Sequence, residues 1–508
     1  MDTLFEIKLD LTTGGSRQAS ESLYRQLKAA ILDGRLAAGA KLPVPRMSSR
    51  FLGVSRNTAA AVYERLASDG LVLTRRGSGS YVAATSRAAR TRAAGRTGRT
   101  ARAAQKPGAR SADQRLNPFW LRPDVTAAMD FWRDQDSSTP ARATAASIDF
   151  RPALIDSRLF PFDLFRQVSV KQLRQLESRP ASYKSPQGNQ GHYPLRDAIT
   201  RHIALTRAVV CGPEDVLVTS GAQQAFDLLA RVLVRPNDTV VAIEDPGYPP
   251  MRVAFSAAGA RLVPVPVDDE GLIVEQLPSD VRIICVCPSH QFPLGVTMSA
   301  RRRQSLVAFA RRRGAVIIED DYDGEFRYEG SPLEALRTAD AEDVVCYVGT
   351  FSKCMLPALR LGFIVAPDWA LRSLISAKNC MDWHCPTPVQ MGVARFIAEG
   401  HLERHVRRLR RIYKERRELI LNCLQADLSQ WLTPISSGYG LHVAAQARTR
   451  QDMDRVSETL LREQIKVHAF SRYYLGAPAK TGLIFGYGAV DPAQIRQGFS
   501  ALRRLLAR

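Results

Sequence analysis

The chain has 508 residues, of which 45% are hydrophobic and 24% are charged, and its formal net charge is +21. This length exceeds what one hydrophobic core supports, so two or three domains are expected. The charge favours a polyanionic partner such as nucleic acid, and no apolar run is long enough to cross a bilayer. Acidic residues near the N-terminus and eight cysteines without a CxxC pair favour a reduced, cytoplasmic, metal-free protein.

The first predicted domain, residues 1–84, begins with helices. Apolar residues recur at helical spacing from Leu23 to Ile31, and a second short helix is predicted from Arg46 onward. The turn GVS then leads into SRNTAAAVYERLASDG, where Ser55 is a candidate N-cap. The apolar residues of this third helix share one face, which leaves its first residues pointing outward.

A β-hairpin is predicted after the third helix. LVLTRRGSGSYVA, residues 71–83, contains two β-prone runs around a Gly/Ser turn. Two helices, a tight turn and a hairpin form a winged helix-turn-helix, whose recognition helix presents its first residues to base edges. Arg56, Asn57 and Thr58 suit that position because arginine pairs with guanine and asparagine with adenine. The alternative, a helical domain with ordinary surface arginines, has to explain turn, cap, wing and charge together.

Residues 20–83 resemble the DNA-binding domain of the GntR family. The segments that carry this resemblance are LYRQLKAAILDGRLAAGAKLP, LGVSRNTAAAVYERLASDGLV and GSGSYV. The resemblance implies contacts with double-stranded DNA at the second helix, the start of the third helix and the wing tip, namely at Arg46, Ser55, Arg56, Asn57, Thr58 and Gly77.

Residues 85–147 are predicted to form a flexible linker rich in Ala, Arg, Gly and Thr. Positions 85–115 hold nine basic side chains against one acid, Asp113. Such a segment buries too little apolar surface to order itself. It either adds nonspecific attraction to DNA or serves as a solubilising spacer, since charge runs are often simply solvated.

Beyond residue 147 the pattern is that of an α/β domain. Apolar strands alternate with helical stretches such as QQAFDLLARVL, and the strands read VLVTS, TVVAIED, RIICVC, AVIIEDD, DVVCYVG and GFIVA. This alternation predicts a mostly parallel sheet covered on both faces. A long basic helix after about residue 395 opens a smaller α+β domain, which predicts a large domain over 148–395 and a small domain over 396–508.

The nearly uncharged stretch GTFSKCMLPALRLG contains one lysine, Lys353. Burial in an apolar pocket lowers the pKa of a lysine, and the neutral amine can condense with an aldehyde. Most half-buried lysines extend to solvent instead, so residues at other positions must show whether Lys353 belongs to a site. Strand VLVTS leads into a helix N-terminus that can hold a phosphate, Arg360 can pair with that phosphate, and AVIIEDD ends in paired acids. Together these features describe a site for pyridoxal 5′-phosphate (PLP).

Residues 148–508 resemble the fold-type-I aminotransferases, and the whole chain resembles the MocR-type regulators, a GntR branch that fuses such a domain to a winged helix. The motifs are YKSPQG, VTSGAQQAFD, EDPGYP, SHQFPLG, IIEDDYDGEF and GTFSKCMLPALRLGF. The resemblance implies that Lys353 forms the internal aldimine with PLP. Asp320 holds the ring nitrogen, because alternation along the strand separates it from Asp321, the second candidate.

The same resemblance assigns the remaining cofactor contacts. Tyr322 bonds the ring phenolate and Tyr248 stacks on the ring. The phosphate is bound by Ala222, Gln223, Thr350, Ser352 and Arg360. A tyrosine matching Tyr183 reaches the phosphate from the other subunit, which implies a homodimer.

Two departures from the aminotransferase pattern bear on activity. Phe292 stands where the enzymes have an asparagine that donates to the ring phenolate, and Ile484 stands where they have an arginine that binds the substrate carboxylate. Loss of a bidentate clamp removes substrate orientation, which supplies much of the rate. Arg472 and Arg252 are candidate substitutes. At most partial or weak transamination is therefore expected.

The sequence thus predicts a PLP-dependent, DNA-binding transcriptional regulator. A small amine or amino acid, or PLP itself, is expected to act at the aminotransferase-like domain and change operator binding. Two other interpretations stay open: an active aminotransferase with an accessory DNA-binding domain, and a DNA-binding protein whose second domain is only a scaffold.

Overall fold

The computed structural model describes residues 16–75, 78–83, 116–129, 148–178, 189–330, 334–340, 342–448 and 451–507. The chain divides into two compact units, Met1–Ser111 and Ala112–Arg508. Across these ranges, none of the helices combines the length and the apolar character that a bilayer crossing requires.

The first unit is a winged helix-turn-helix. Its elements are α1 (Ser16–Leu32), β1 (Lys41–Leu42), α2 (Pro45–Leu52), α3 (Arg56–Ser68), β2 (Val72–Arg75) and β3 (Gly79–Val82). Strand β3 pairs antiparallel with both β1 and β2. Leu23 and Leu27 of α1 pack with Val62 and Leu66 of α3 in one core.

The turn between α2 and α3 follows from its local chemistry. Gly53 ends α2 with φ 66°, a left-handed conformation that favours glycine. Ser55 caps α3, because its Oγ accepts a hydrogen bond of 3.0 Å from the backbone N–H of Thr58. The hydroxyls of Ser48 and Tyr63 lie 2.8 Å apart and join the two helices. The predicted N-cap is confirmed.

The second unit alternates strands and helices. Its helices are α4 (Pro123–Met129), α5 (Phe162–Ser178), α6 (Tyr193–Arg207), α7 (Ala222–Leu233), α8 (Pro249–Ala257), α9 (Ala300–Arg313), α10 (Asp368–Met381), α11 (Thr387–Ala398), α12 (His401–Asp427), α13 (Met453–Arg462) and α14 (Pro492–Leu506). Its strands are β4 (Ile148–Asp149), β5 (Val216–Thr219), β6 (Val240–Asp245), β7 (Arg261–Asp268), β8 (Gly271–Leu272), β9 (Val281–Val286), β10 (Val316–Asp321), β11 (Val345–Thr350), β12 (Gly362–Val365), β13 (Leu432–Pro434), β14 (His442–Ala447), β15 (Ile465–Lys466), β16 (His468–Ala469) and β17 (Gly482–Gly486).

The central sheet has the strand order β5-β12-β11-β10-β9-β6-β7-β8. The five strands from β11 to β7 are parallel, whereas β12 and β8 run antiparallel to their neighbours. Helices cover both faces: Phe226 and Phe255 pack in the core on one face, and Leu306 and Ala310 pack in the core on the other. The mostly parallel sheet that the sequence predicts is confirmed.

The C-terminal part carries a second, antiparallel sheet in the order β13-β14-β17-β16. Helix α12 packs its apolar face, including Leu409 and Tyr413, into a core that also contains Leu441 and Phe485. This smaller α+β layer completes the fold-type-I aminotransferase-like architecture.

Two segments differ from the sequence-based expectations. Residues 116–129 fall inside the predicted flexible linker, yet they contain helix α4, which packs against α8 and buries Val125. The expectation of a structureless chain is wrong for this stretch. Strand β7 was not predicted. Among the described residues it pairs along its length with β6 alone and meets β8 at its end, so it tolerates Pro264 and Pro266.

Candidate functional site

The second unit contains a cavity of about 730 Å³ at the C-terminal ends of the parallel strands. Ligand sites of open α/β sheets lie at this edge. The cavity is lined by Ala128, Ala153, Leu154, Ile155, Ser157, Ala222, Gln223, Phe226, Tyr248, Pro250, Phe292, Asp320, Tyr322, Thr350, Ser352, Lys353, Pro357, Ala358 and Arg360. Nine of the ten residues predicted to contact the cofactor line it; the tenth, Tyr183, lies outside the described residues.

Lys353 lies in the loop between β11 and β12, with its side chain at the cavity wall. Its Nζ donates a hydrogen bond of 2.6 Å to the carbonyl oxygen of Ala153. Burial lowers the pKa of this lysine to about 8, against the opposing attraction of Asp323 and Asp320. About a tenth of the amine is therefore neutral at pH 7. Lys353 is the one lysine among the described residues that line the cavity, and this neutral fraction makes it the best nucleophile there.

The paired acids at the end of β10 have different surroundings. The Oδ2 atom of Asp320 is 3.6 Å from Sγ of Cys287, and its buried Oδ1 has no partner among the described residues. Burial, and then the charge of Asp321, raise the pKa of Asp320 to about 7. Asp321 points away from the cavity, where Arg207 and the Tyr347 hydroxyl each approach its Oδ2 at 2.6 Å. Of the two acids, Asp320 is therefore the one available to a ligand.

The opposite end of the cavity offers donors for an anion. Helix α7 begins at Ala222, so its first N–H groups face the cavity beside Gln223. Gly221 has φ 82°, and a Cβ atom there would lie 2.8 Å from the Arg360 guanidinium. The guanidinium donates to the Ser220 carbonyl oxygen at 2.9 Å. Glycine at 221 therefore lets an arginine and a helix N-terminus converge on one point.

Two hydroxyl side chains in the loop after β11 add further hydrogen-bond donors at this end of the cavity. Thr350 donates through Oγ1 to Oγ of Ser352 at 3.0 Å, and its Oγ1 accepts from the Ser352 N–H at 3.2 Å. Both residues line the cavity. Hydroxyls that are already hydrogen-bonded to each other are held in place for a further acceptor.

Aromatic rings form the middle of the cavity. Phe292 meets Tyr248 edge to face at 5.5 Å and Tyr322 at 5.7 Å between ring centroids. Tyr322 is buried, and burial raises the pKa of its hydroxyl well above the ordinary value, so the group stays protonated. Phe292 therefore contributes an apolar wall where the enzymes place an amide.

Ile484, which stands in place of the carboxylate-binding arginine, and the two candidate substitutes for that arginine all lie outside the cavity lining. Ile484 is fully buried on β17, in a cluster with Phe470 and Tyr473. Arg252 is buried and donates to the carbonyl oxygens of Gly247 and Tyr473, so it does not face the cavity. Arg472 is exposed and is not part of the lining. Neither of the two candidate substitutes for the missing clamp, Arg252 and Arg472, therefore lines the cavity.

Sequence reasoning missed several parts of the site. The carbonyl oxygen of Ala153 holds Lys353, and Ala128 of α4 reaches the cavity from the predicted linker. His290, which contacts both Tyr322 and Asp323, lies in the motif SHQFPLG, and Asp323 lies in IIEDDYDGEF. Their position in the same motifs as predicted site residues was the available signal.

The first unit presents a separate polar surface around the start of α3. Arg46, Arg56 and Asn57 are exposed, as a groove-reading surface requires. The hydroxyls of Ser55 and Thr58 lie 2.8 Å apart within the helix cap, so their first role is structural. Gly77, predicted at the wing tip, lies outside the described residues.

Comparison with known proteins identifies both units. Residues 19–82 match the family of bacterial regulatory proteins of the gntR type, and residues 162–502 match aminotransferase class I and II. The chain belongs to the MocR-type regulators of the GntR family. It is a transcriptional regulator that joins a GntR helix-turn-helix domain to an aminotransferase-like domain.

Full-length relatives share this two-domain organisation. The probable rhizopine catabolism regulatory protein MocR of Rhizobium meliloti is 33% identical over 482 residues, which covers 95% of this chain and 92% of the relative. The pyridoxine biosynthesis regulator PdxR of Corynebacterium glutamicum is 32% identical over 474 residues, covering 93% of each chain.

Among solved structures, the α-aminoadipate aminotransferase LysN of Thermus thermophilus is similar to the second unit. That structure contains N-(5′-phosphopyridoxyl)-L-leucine. It superposes with a TM-score of 0.68 at 25% identity, covering 77% of this chain and 97% of the enzyme. The aminotransferase-like unit of the regulator thus has the fold of PLP-dependent aminotransferases.

Proposed function

We propose that this regulator binds PLP at Lys353 and that a small amine or amino acid acting there changes its affinity for an operator. The observation that carries the proposal is the cavity in which Lys353, Asp320 and the N-terminus of α7 meet. PLP needs a lysine for its aldehyde, an acid for its ring nitrogen and donors for its phosphate.

The residues present fit PLP. The buried Oδ1 of Asp320 has no partner among the described residues, so a protonated ring nitrogen would satisfy it. At the other end, Arg360 and the first N–H groups of α7 supply a bidentate donor and a positive dipole for a phosphate. When bound, PLP supplies an electrophilic carbon and an electron sink.

Each residue of the cavity has a distinct role in holding the cofactor. Lys353 provides the amine, and its lowered pKa of about 8 keeps part of it neutral and nucleophilic. Asp320 holds a proton at the ring nitrogen, and Tyr322 donates a hydrogen bond towards the ring oxygen. Tyr248 supplies a stacking surface, while Thr350, Ser352, Gln223 and Ala222 add donors around the phosphate.

Sensing is favoured over turnover because, among the described residues, the cavity lining includes one arginine, Arg360, and it lies at the phosphate end. With Ile484 buried in an apolar cluster, the described part of the site lacks the clamp that orients a substrate carboxylate. An amine can still compete with Lys353 for the cofactor. The result is a binding event with little onward chemistry, which suits an effector.

The proposal extends to DNA and to a second copy of the chain. Arg46, Arg56 and Asn57 supply contacts to an operator, with the linker arginines adding salt-dependent attraction. Tyr183 completes the phosphate site of the other subunit, so the regulator acts as a homodimer. A homodimer places two recognition helices on two operator half-sites.

The test uses the purified full-length protein reconstituted with PLP. Absorption spectra, borohydride reduction and peptide mass spectrometry are expected to find PLP on Lys353. Addition of individual amines is then expected to change the spectrum and, for the effector, the operator affinity at fixed salt. A protein that stays colourless, with DNA binding indifferent to PLP, contradicts the proposal and favours the scaffold interpretation.

Two variants of the function remain distinct in the same assay. If PLP itself is the effector, operator affinity changes on reconstitution and amines add nothing. The second candidate is an active aminotransferase with an accessory DNA-binding domain, which is favoured by a complete lysine, acid and phosphate set at one cavity. Sustained multiple turnovers with an amino donor and a keto acid would establish that candidate instead.

A further inference from the structure

Behind Tyr322 lies a buried polar cluster that the proposed cofactor contacts do not use. The Tyr322 hydroxyl oxygen is 2.9 Å from Nδ1 of His290, and the same nitrogen is 2.9 Å from Oδ2 of Asp323. The His290 and Asp323 side chains are only 1% and 2% exposed. Tyr322 itself lines the cavity, so the cluster connects the cavity wall with the protein interior.

One nitrogen atom cannot satisfy both neighbours in every protonation state. If Nδ1 is bare, Tyr322 and Asp323 must both direct hydrogens at a single lone pair, and the Tyr322 hydrogen is then turned away from the cavity. If Nδ1 carries the hydrogen, it donates to Asp323 and to the Tyr322 oxygen together. The second arrangement satisfies the carboxyl group and leaves the Tyr322 hydrogen pointing into the cavity.

The imidazole is held tightly in this position. A Cβ atom at Gly440 would lie 1.8 Å from Cε1 of His290, and one at Gly295 would lie 3.1 Å from Nε2. The backbone therefore approaches the ring closely at two positions, and both are glycines with positive φ angles, 91° and 79°. The His442 ring lies 4.7 Å from the His290 ring between centroids, tilted by 44°, and its Nε2 donates to the Pro293 carbonyl oxygen at 2.8 Å.

We propose that His290, oriented by Asp323, is a positioning residue that turns the Tyr322 hydroxyl into a hydrogen-bond donor for an acceptor oxygen in the cavity. This inference rests on the proposed function, which identifies that acceptor as the ring oxygen of PLP. His290 acts through Tyr322 and does not touch the cofactor. By orienting the Tyr322 hydroxyl, it partly compensates for the hydrogen-bond donor that is missing at Phe292.

The charges around Tyr322 agree with a donor role. Burial raises the pKa of its hydroxyl, and the groups that face it, Asp323, Cys287, Asp320 and Tyr487, raise it further. The hydroxyl therefore keeps its hydrogen over the ordinary pH range. Its orientation, rather than its ionisation, is what His290 controls.

A metal ion is the competing explanation for the cluster. His290, Asp323 and His442 each offer a ligand atom, and these atoms lie within 4.8 Å of one another. Ligands around a tetrahedral zinc ion lie about 3.3 Å apart, given Zn–N distances of about 2 Å. The 2.9 Å contact between His290 and Asp323 is a hydrogen-bond distance. Hydrogen bonding therefore explains the short contact between His290 and Asp323. Elemental analysis of the purified protein tests whether a metal ion is bound.

The experiment compares pH titrations of the cofactor absorption band in reconstituted Tyr322→Phe, His290→Ala and His290→Asn variants. Loss of a donor to an oxygen anion makes that anion hold a proton more tightly, so the midpoint is expected to rise by about one to two pH units in Tyr322→Phe and nearly as much in His290→Ala. His290→Asn keeps a donor near the position of Nδ1 and is expected to stay close to the wild type.

The double variant Tyr322→Phe/His290→Ala tests the route of the effect. If His290 acts through Tyr322, the double variant has the same midpoint as Tyr322→Phe alone; additive shifts overturn the inference. A His290→Ala protein that folds, binds PLP and titrates like the wild type also overturns it, as does stoichiometric metal in the purified protein. A wild type that never takes up PLP is a separate result, because it refutes the proposed function and removes the acceptor.

Discussion

Arg56 and Asn57 stand exposed at the start of α3 in the first unit, whereas Lys353 and Asp320 line a cavity in the second unit. Burial lowers the pKa of Lys353 to about 8 and raises that of Asp320 to about 7. Exposure to solvent keeps polar surface groups available for phosphates and base edges, while burial brings a lysine and an acid into the range where they exchange protons near neutral pH. The contrast separates an exposed surface suited to contacting DNA from a buried site suited to covalent capture of an aldehyde.

The largest expected effect is the loss of covalent cofactor attachment in Lys353→Ala. Borohydride treatment of the reconstituted variant is expected to leave no PLP on the peptide that contains position 353, because alanine has no amine. Lys171→Ala, at an exposed position on α5, is the matched control and is expected to label like the wild type. Equal labelling of both variants at another lysine would remove Lys353 from the site.

Substitutions of the two neighbouring acids of β10 are expected to have opposite effects on the stability of the cofactor-free protein. Asp321→Ala removes the carboxylate that forms a 2.6 Å ion pair with the buried Arg207 guanidinium, and it is expected to lower the free energy of unfolding by about 3–5 kcal/mol. Asp320→Asn removes a carboxyl group whose burial is unfavourable, so the cofactor-free protein is expected to be as stable or more stable. Urea unfolding of both variants without PLP measures the difference; similar losses would contradict it.

In the first unit, Arg56→Ala is expected to lower discrimination between operator bases. An arginine that reads a base edge contributes about 1–3 kcal/mol to discrimination against the wrong base. Competition binding with operator and scrambled duplexes at constant salt measures this discrimination. Arg25→Ala, at an exposed position of α1, is a control that is expected to leave the preference unchanged. An equal loss of affinity for both duplexes would assign Arg56 to the DNA backbone.

The pKa of Lys353 predicts how fast PLP attaches at different pH values. The neutral amine is the reactive form, and it becomes scarcer as the pH falls below about 8. The rate is therefore expected to rise about tenfold from pH 6 to pH 7 and to level off above pH 8, since one pKa unit is one decade of protonation. Stopped-flow absorbance provides the rate, and a profile that still rises steeply at pH 9 would contradict the lowered pKa.

The smallest expected effect concerns the cap of the recognition helix. Ser55→Ala removes the hydroxyl that accepts from the Thr58 N–H at 3.0 Å and is expected to cost about 1 kcal/mol of stability in the first unit. Ser55→Asp is expected to retain the cap while placing a negative charge near DNA. Retained stability with weakened operator binding in Ser55→Asp would separate the structural role of Ser55 from a direct contact.

Local sequence patterns predicted much of the fold. The capped third helix, the hairpin after it and the strands around AVIIEDD were all predicted from spacing and residue type. Strand alternation also separated Asp320 from Asp321, because successive side chains point to opposite faces. Two local predictions were wrong or incomplete: α4 forms within the predicted linker, and β7 forms despite its prolines. Packing against α8 and an edge-like pairing with β6 decided those two segments.

The sequence by itself determined the two architectures and the residue types of the candidate site, because capping, alternation and helix periodicity depend on neighbours within a few positions. Only the tertiary structure decided which distant groups meet. The Ala153 carbonyl oxygen contacts Lys353 across 200 positions, and His290 reaches Tyr322 across 32. Such contacts depend on strand order and register in the assembled sheet, which no short segment specifies.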